Sequence, residues 1–124
     1  MKSNTITMMT NGVMTGTNTV TSNAIPLDQI YGFAIQIVSS GTAEGAVKLQ
    51  ASCDAPARQT QVSNGGPDEI TDWTDIADSS ILIVTGDNNI MYNYNGCFYR
   101  AVRVVYTNTT GSGLMSAKLS VKGV

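Results

Sequence analysis

Hydrophobic and polar residues alternate one by one along much of this chain. Met115, Ala117, Leu119 and Val121 share one parity, and Ser116, Lys118, Ser120 and Lys122 share the other. A period of two is the signature of a β-strand with one buried and one wet face. Val47, Leu49, Ala51 and Cys53 alternate with Lys48, Gln50 and Ser52 in the same way, and Ile90, Tyr92 and Tyr94 alternate with Met91, Asn93 and Asn95. Phe33 to Val38 is rich in β-branched residues and reads as a further strand, and Ile81 to Val84 as a short buried one. Cys97 to Tyr106 predicts the longest strand, with Arg100, Val102, Val104 and Tyr106 on one face and Tyr99, Ala101, Arg103 and Val105 on the other. Turn residues cluster at Ser39–Gly45, Thr85–Asn89, Asn95–Gly96 and Thr107–Gly113, and Leu27–Tyr31 has room for a single helical turn. No amphipathic helix of useful length occurs. The pattern predicts an all-β fold: a single jelly-roll-like β-sandwich of about eight short strands over residues 26–124.

The segment before Pro26 follows no such pattern. Thr occupies positions 5, 7, 10, 15, 17, 19 and 21, and Asn11-Gly12 reads as a turn between two short extended pieces. Its apolar residues are few. The simplest reading is a frayed tail or a weak edge hairpin. The reading favoured here is an extended N-terminal arm, residues 1–25, that lies on a neighbouring subunit through Thr5, Ile6, Thr7, Met8, Met9, Val13 and Met14.

Composition narrows the function. Of 124 residues, 42% are hydrophobic and only 13% charged, about half the usual charged share of roughly 25%. Thr, Ser, Asn and Gly fill the gap, which suits a surface that becomes covered by another molecule. The net charge is −2 and the seven cations are scattered singly, so no basic face exists to track phosphates and no nucleic-acid partner is expected. No apolar run is long enough to span a membrane. The N-terminus carries one Lys and no apolar core, so it is not a signal peptide; a protein made in a host cytoplasm is expected. In that compartment Cys53 and Cys97 are expected as free, buried thiols rather than a bridge.

Chemistry has few footholds. The chain contains no histidine, which removes the commonest general base and the usual triads. Carboxylates concentrate at Asp68, Glu69, Asp72, Asp75 and Asp78. They lack both a tight acid–base pairing and the alternating Asp pattern of a calcium loop, and read as a solvated acidic segment. No Gly-rich phosphate motif is present. The expectation is no catalytic residue, no cofactor and no metal. Tyr92 and Tyr94 share a parity beside the Asn95-Gly96 turn. With Trp73, the only tryptophan, they form the candidate ligand patch, on which a sugar could stack. The plainer reading is that these rings cap the sandwich with their hydroxyls wet.

The order Val47-Lys48-Leu49-Gln50-Ala51-Ser52, Trp73-Thr74-Asp75-Ile76, Tyr99-Arg100-Ala101-Val102-Arg103-Val104-Val105-Tyr106, a Thr/Gly turn and a last strand ending in Lys122-Gly123 resembles small structural proteins of tailed bacteriophages. The resemblance covers roughly residues 33–124, with a longer insertion at Ala55–Glu69. It is weaker toward discoidin-like, galactose-binding jelly rolls. The phage likeness implies a virion protein, most simply a capsid decoration or cement protein on the capsid exterior. Such a protein has the major capsid protein as its partner, assembles as a homo-oligomer (a trimer by family habit), and stabilises the shell by binding across capsid subunits. The alternative is a receptor- or carbohydrate-binding module of a tail or adhesion structure.

Overall fold

The computed structural model describes residues 3–27, 30–53, 72–95 and 100–123. These residues form strands β1 (Ser3–Thr15), β2 (Thr19–Thr21), β3 (Ile25–Pro26), β4 (Ile30–Gly41), β5 (Glu44–Ser52), β6 (Thr74–Asp75), β7 (Ile81–Ile83), β8 (Asn88–Asn95), β9 (Ala101–Thr110) and β10 (Ser112–Gly123). One sheet runs β1-β10-β4-β8. The other runs β2-β9-β5-β6, with β3 also on β9 and β7 also on β5. Every pairing is antiparallel. The chain changes sheets after β1, β3, β4, β7, β8 and β9. That alternation, with the first strand beside the last, is the jelly-roll arrangement expected from the strand pattern.

The core follows parity. Met115, Ala117, Leu119 and Val121 of β10 face inward, as do Phe33, Ile35 and Ile37 of β4. Val47, Leu49 and Ala51 of β5 and Val102, Val104 and Tyr106 of β9 meet them from the other sheet. Each fully buried side chain of this size contributes about 1.5–3 kcal/mol. The expected turn at Ser39–Gly45 shrinks to Thr42-Ala43, because β4 runs on to Gly41 and β5 begins at Glu44. The expected turn at Thr107–Gly113 shrinks to Gly111. Ile30 and Tyr31, expected in a helical turn, begin β4.

The N-terminal segment differs most from expectation. It is not separate from the sandwich: β1 pairs with β10 of its own chain, from Ser3 opposite Lys122 to Thr15 opposite Ser112. Met8, Met9 and Met14 are buried, and Ile6 packs against the core. Asn11 does have the left-handed backbone that Asn-Gly predicts, with φ of 49°. Instead of reversing the chain, however, it sits at a bulge. The register shifts between Thr7 and Met9 and again between Met9 and Gly12, and the strand continues.

One end of the sandwich is closed by a buried amide. Asn108 donates through Nδ2 to the carbonyls of Gly16 (2.9 Å) and Gly111 (3.1 Å), and its Oδ1 accepts from the Tyr106 hydroxyl at 2.7 Å. The Asn108 backbone N–H donates to the Asn18 carbonyl at 2.9 Å. The β1–β2 and β9–β10 turns are therefore held by one side chain. Gly111 turns with φ of 75°, and a Cβ there would run into the Thr42 carbonyl. In the β6–β7 connection, within the second sheet, Ser79 Oγ donates to the Ile76 carbonyl at 2.7 Å and accepts from the Leu49 N–H at 3.1 Å.

Candidate interaction surfaces

The two outer faces differ in chemistry. In the four-stranded sheet, β1, β4, β8 and β10 together contain two charged residues, Lys118 and Lys122. Its outer face presents Thr5, Thr7, Ser40, Asn93, Ser120 and Lys118 to solvent. Four large apolar side chains stand among them: Val13 at 60% exposure, Met91 at 59%, Val38 at 47% and Leu114 at 43%. The register sets these four in a line. Val13 lies opposite Leu114, and Leu114 opposite Ser40, two residues from Val38. Val38 lies opposite Asn89, two residues from Met91. The result is a diagonal apolar stripe with one residue from each strand. It is roughly 20 Å long, from three strand spacings of about 4.8 Å and an axial offset of four residues at about 3.4 Å each. A shallow hollow of about 170 Å³ lies beside its Met91 end, between Thr5, Ala34, Gln36, Lys118 and Ser120.

The outer face of the second sheet carries a polar array. Arg103 Nε donates to Gln50 Oε1 at 2.9 Å, and Gln50 Nε2 donates to Asp75 Oδ1 at 2.9 Å. Lys48 Nζ donates to Asp75 Oδ2 at 3.0 Å. The Arg103 guanidinium lies over the Trp73 ring, 4.3 Å from its centroid, a cation–π contact. The register explains the array, since Gln50 is opposite both Arg103 on β9 and Asp75 on β6. The hydrogen bond from Gln50, then that from Lys48, holds the Asp75 carboxyl below its ordinary value. Burial lowers the Arg103 guanidinium from its own. A hollow of about 500 Å³ opens beside the array, lined by Ser52, Cys53, Asp72, Thr74 and Asp75 among others.

The residues singled out from sequence fall as follows. Thr5, Thr7 and Val13 are exposed on the outer face of the four-stranded sheet, while Ile6, Met8, Met9 and Met14 belong to the core side. The contact set predicted for an arm is thus split between two faces of one strand. The aromatic patch is not assembled either. Tyr92 is buried, and its hydroxyl donates to the Ser79 carbonyl at 2.6 Å. Tyr94 packs on Phe33 with ring centroids 5.2 Å apart, and Trp73 lies on the other sheet's outer face. Tyr92 and Tyr94 do share a parity, but it is the inward one. Burial, then the neighbouring Tyr94, pushes the Tyr92 hydroxyl up to about 12.

Of the acidic segment, Asp75 is engaged by Gln50 and Lys48, Asp72 and Asp78 are exposed, and Asp68 and Glu69 lie outside the described residues. Among the described residues no three acidic or thiol groups come together as metal ligands. Cys53 is a free thiol, and it is exposed where burial was expected, because β5 ends at Ser52. Cys97 lies outside the described residues. The stripe had a signal in the sequence: Val38, Met91 and Leu114 are apolar residues at positions whose parity is otherwise polar.

No protein-family profile matches this chain, and no curated protein does. Among solved structures it is similar to SPBc2 prophage-derived protein YomS, with 12% identity, 97% of this chain and 92% of that chain covered, and a TM-score of 0.49. It is also similar to PirA, with 16% identity, 97% and 93% coverage, and a TM-score of 0.39. Likeness at these values has no bearing on function.

Proposed function

We propose that this chain is a structural protein of a phage virion that works by contact alone. In this reading it is a capsid decoration protein on the capsid exterior, and it binds across junctions between copies of the major capsid protein. The observation that carries the mode of action is the apolar stripe on a face with almost no charge. Large apolar side chains in a neutral Ser/Thr/Asn surround give a contact dominated by burial and hydrogen bonds. At about 25 cal/mol per Å², such burial repeated at every junction stiffens a shell. The virion setting comes from the sequence resemblance over residues 33–124.

The experiment is add-back to particles that lack the protein. Wild-type chain is expected to co-sediment with them, and Val38→Lys with Leu114→Lys to reduce binding at least tenfold while leaving the fold intact by circular dichroism. Undiminished binding by the double variant would overturn the docking face.

The Trp73–Arg103–Gln50–Asp75 array beside its hollow favours a second reading, a receptor- or carbohydrate-binding module. An aromatic ring next to fixed donors and acceptors is suited to a polar ligand. Because Trp73 is the only tryptophan, its fluorescence reports on the array directly. A saturable change with a glycan, lost in Gln50→Ala, supports this reading; a silent glycan panel removes it.

A further inference from the structure

The two edges of the four-stranded sheet are built differently. At one edge, β1 is bulged twice against β10 and carries the left-handed Asn11. Bulges bend an edge and spoil it as a template for another strand. At the other edge, β8 pairs with β4 without a register shift from Asn88 to Asn95. It contains no charge, no Pro and no Gly. Among the described residues no strand lies on its far side. None of the usual protections against edge pairing is present in β8.

We infer that Asn89–Asn93 of β8 pairs antiparallel with the same segment of a second copy of this chain, about a two-fold axis at Met91. Two features of β8 and its sheet favour a second copy over another partner. The first is self-complementarity. With the axis at Met91, Asn89 faces Asn93, Ile90 faces Tyr92 and Met91 faces Met91, and no pair carries charge. Asn89 is already oriented on the outer face by the Gln36 amide, which donates to its Oδ1 at 3.0 Å. The second is continuity. The stripe Val13–Leu114–Val38–Met91 runs off the sheet at β8 and ends in an exposed methionine. A half-turn about an axis at the end of a line prolongs that line, so the second copy continues the stripe and covers Met91 with Met91. The product is one eight-stranded sheet with a doubled outer face. The symmetry is two-fold, where the phage resemblance implies three, and the inference stands independently of the virion reading.

Sedimentation velocity on the purified full chain, under reducing conditions so that Cys53 cannot cross-link copies, tests it without any particle. The wild type is expected at twice the chain mass across the micromolar range. Met91→Lys places two ammonium groups against each other at the axis and is expected at the single-chain mass, as is Met91→Glu. Mixing the two variants is expected to restore the double mass through opposite charges. Val13→Lys, at the bulged edge, is expected to leave the double mass unchanged. A single-chain wild type, a three-chain mass, a Met91→Lys dimer, or a mixture that stays monomeric would each overturn the pairing. Far-ultraviolet dichroism of each variant separates lost pairing from lost fold.

Discussion

At the scale of single residues, the buried polar groups are as consequential as the apolar ones. The Tyr92 hydroxyl spans the sandwich from β8 to the Ser79 carbonyl, and Ser79 in turn is tied to Leu49 and Ile76. Tyr92→Phe is expected to cost about 1–2 kcal/mol, the range for a buried hydrogen bond whose acceptor is left unpaired; urea unfolding measures it. The hydroxyl also sets an alkaline limit. Its folded value of about 12 lies above the ordinary 10.0. The native state therefore holds this proton more tightly than the unfolded chain does. The stabilisation is complete below pH 10 and drains away as pH rises toward 12. Unfolding midpoints of the wild type should fall over that window, and those of Tyr92→Phe should fall less steeply. A wild type and variant with parallel alkaline slopes would contradict the assignment. Single-residue chemistry was only partly legible. Alternation fixed that Tyr92 and Tyr94 share a face, but a period of two is equally consistent with either face. Which one is inward depends on the partner sheet. In the same way, Arg103 could reach Trp73 only once β9, β5 and β6 lay side by side.

At the scale of elements, the alternating strands declared themselves because their apolar parity is unbroken. β10 is read correctly from the sequence down to the buried residue, and for β9 the sequence separates the two faces, with Val102, Val104 and Tyr106 together, but does not say which is inward. β1 was not, for two physical reasons. Its Thr-rich composition gives a weak burial pattern, and its partner lies more than a hundred residues away, as in Thr5 opposite Ser120. Asn-Gly added to the difficulty, since a left-handed Asn serves a hairpin turn and a bulge alike. The position of β1 has a measurable consequence. Met8, Met9 and Met14 are buried, and at roughly 1.5–3 kcal/mol each they are worth a large part of the 5–15 kcal/mol by which a domain is stable. Removal of residues 1–15 is expected to abolish the cooperative thermal transition. A truncated chain that melts like the full one would mean that β1 is dispensable to the fold.

At the scale of the whole molecule, the fold separates two surfaces of unlike chemistry. Charge is gathered on the outer face of the second sheet, where Lys48 pairs with Asp75 and Arg103 joins the same array through Gln50. The four-stranded sheet is left nearly uncharged. Attachment through that neutral face should depend little on ionic strength, since screening acts on charges and the face has few. Co-sedimentation with particles is expected to change less than threefold between low salt and about 1 M salt, where the screening length is down to about 3 Å. A steep loss of binding with salt would shift attention to the Lys48–Asp75–Arg103 side. The contrast between faces was not legible in advance, because it depends on which strands the jelly roll brings together.

The adjacency of the first and last strands also sets a timetable. During synthesis β1 leaves the ribosome before the other described strands, yet its partner, β10, is the last of them to emerge. At about 5–20 residues per second, the nascent chain carries three core methionines without their sheet for roughly five to twenty seconds. Until β10 emerges, β1 cannot lock into its sheet. Completion of the jelly roll therefore waits for β10, and a cell making this protein in bulk must tolerate or shield that open interval.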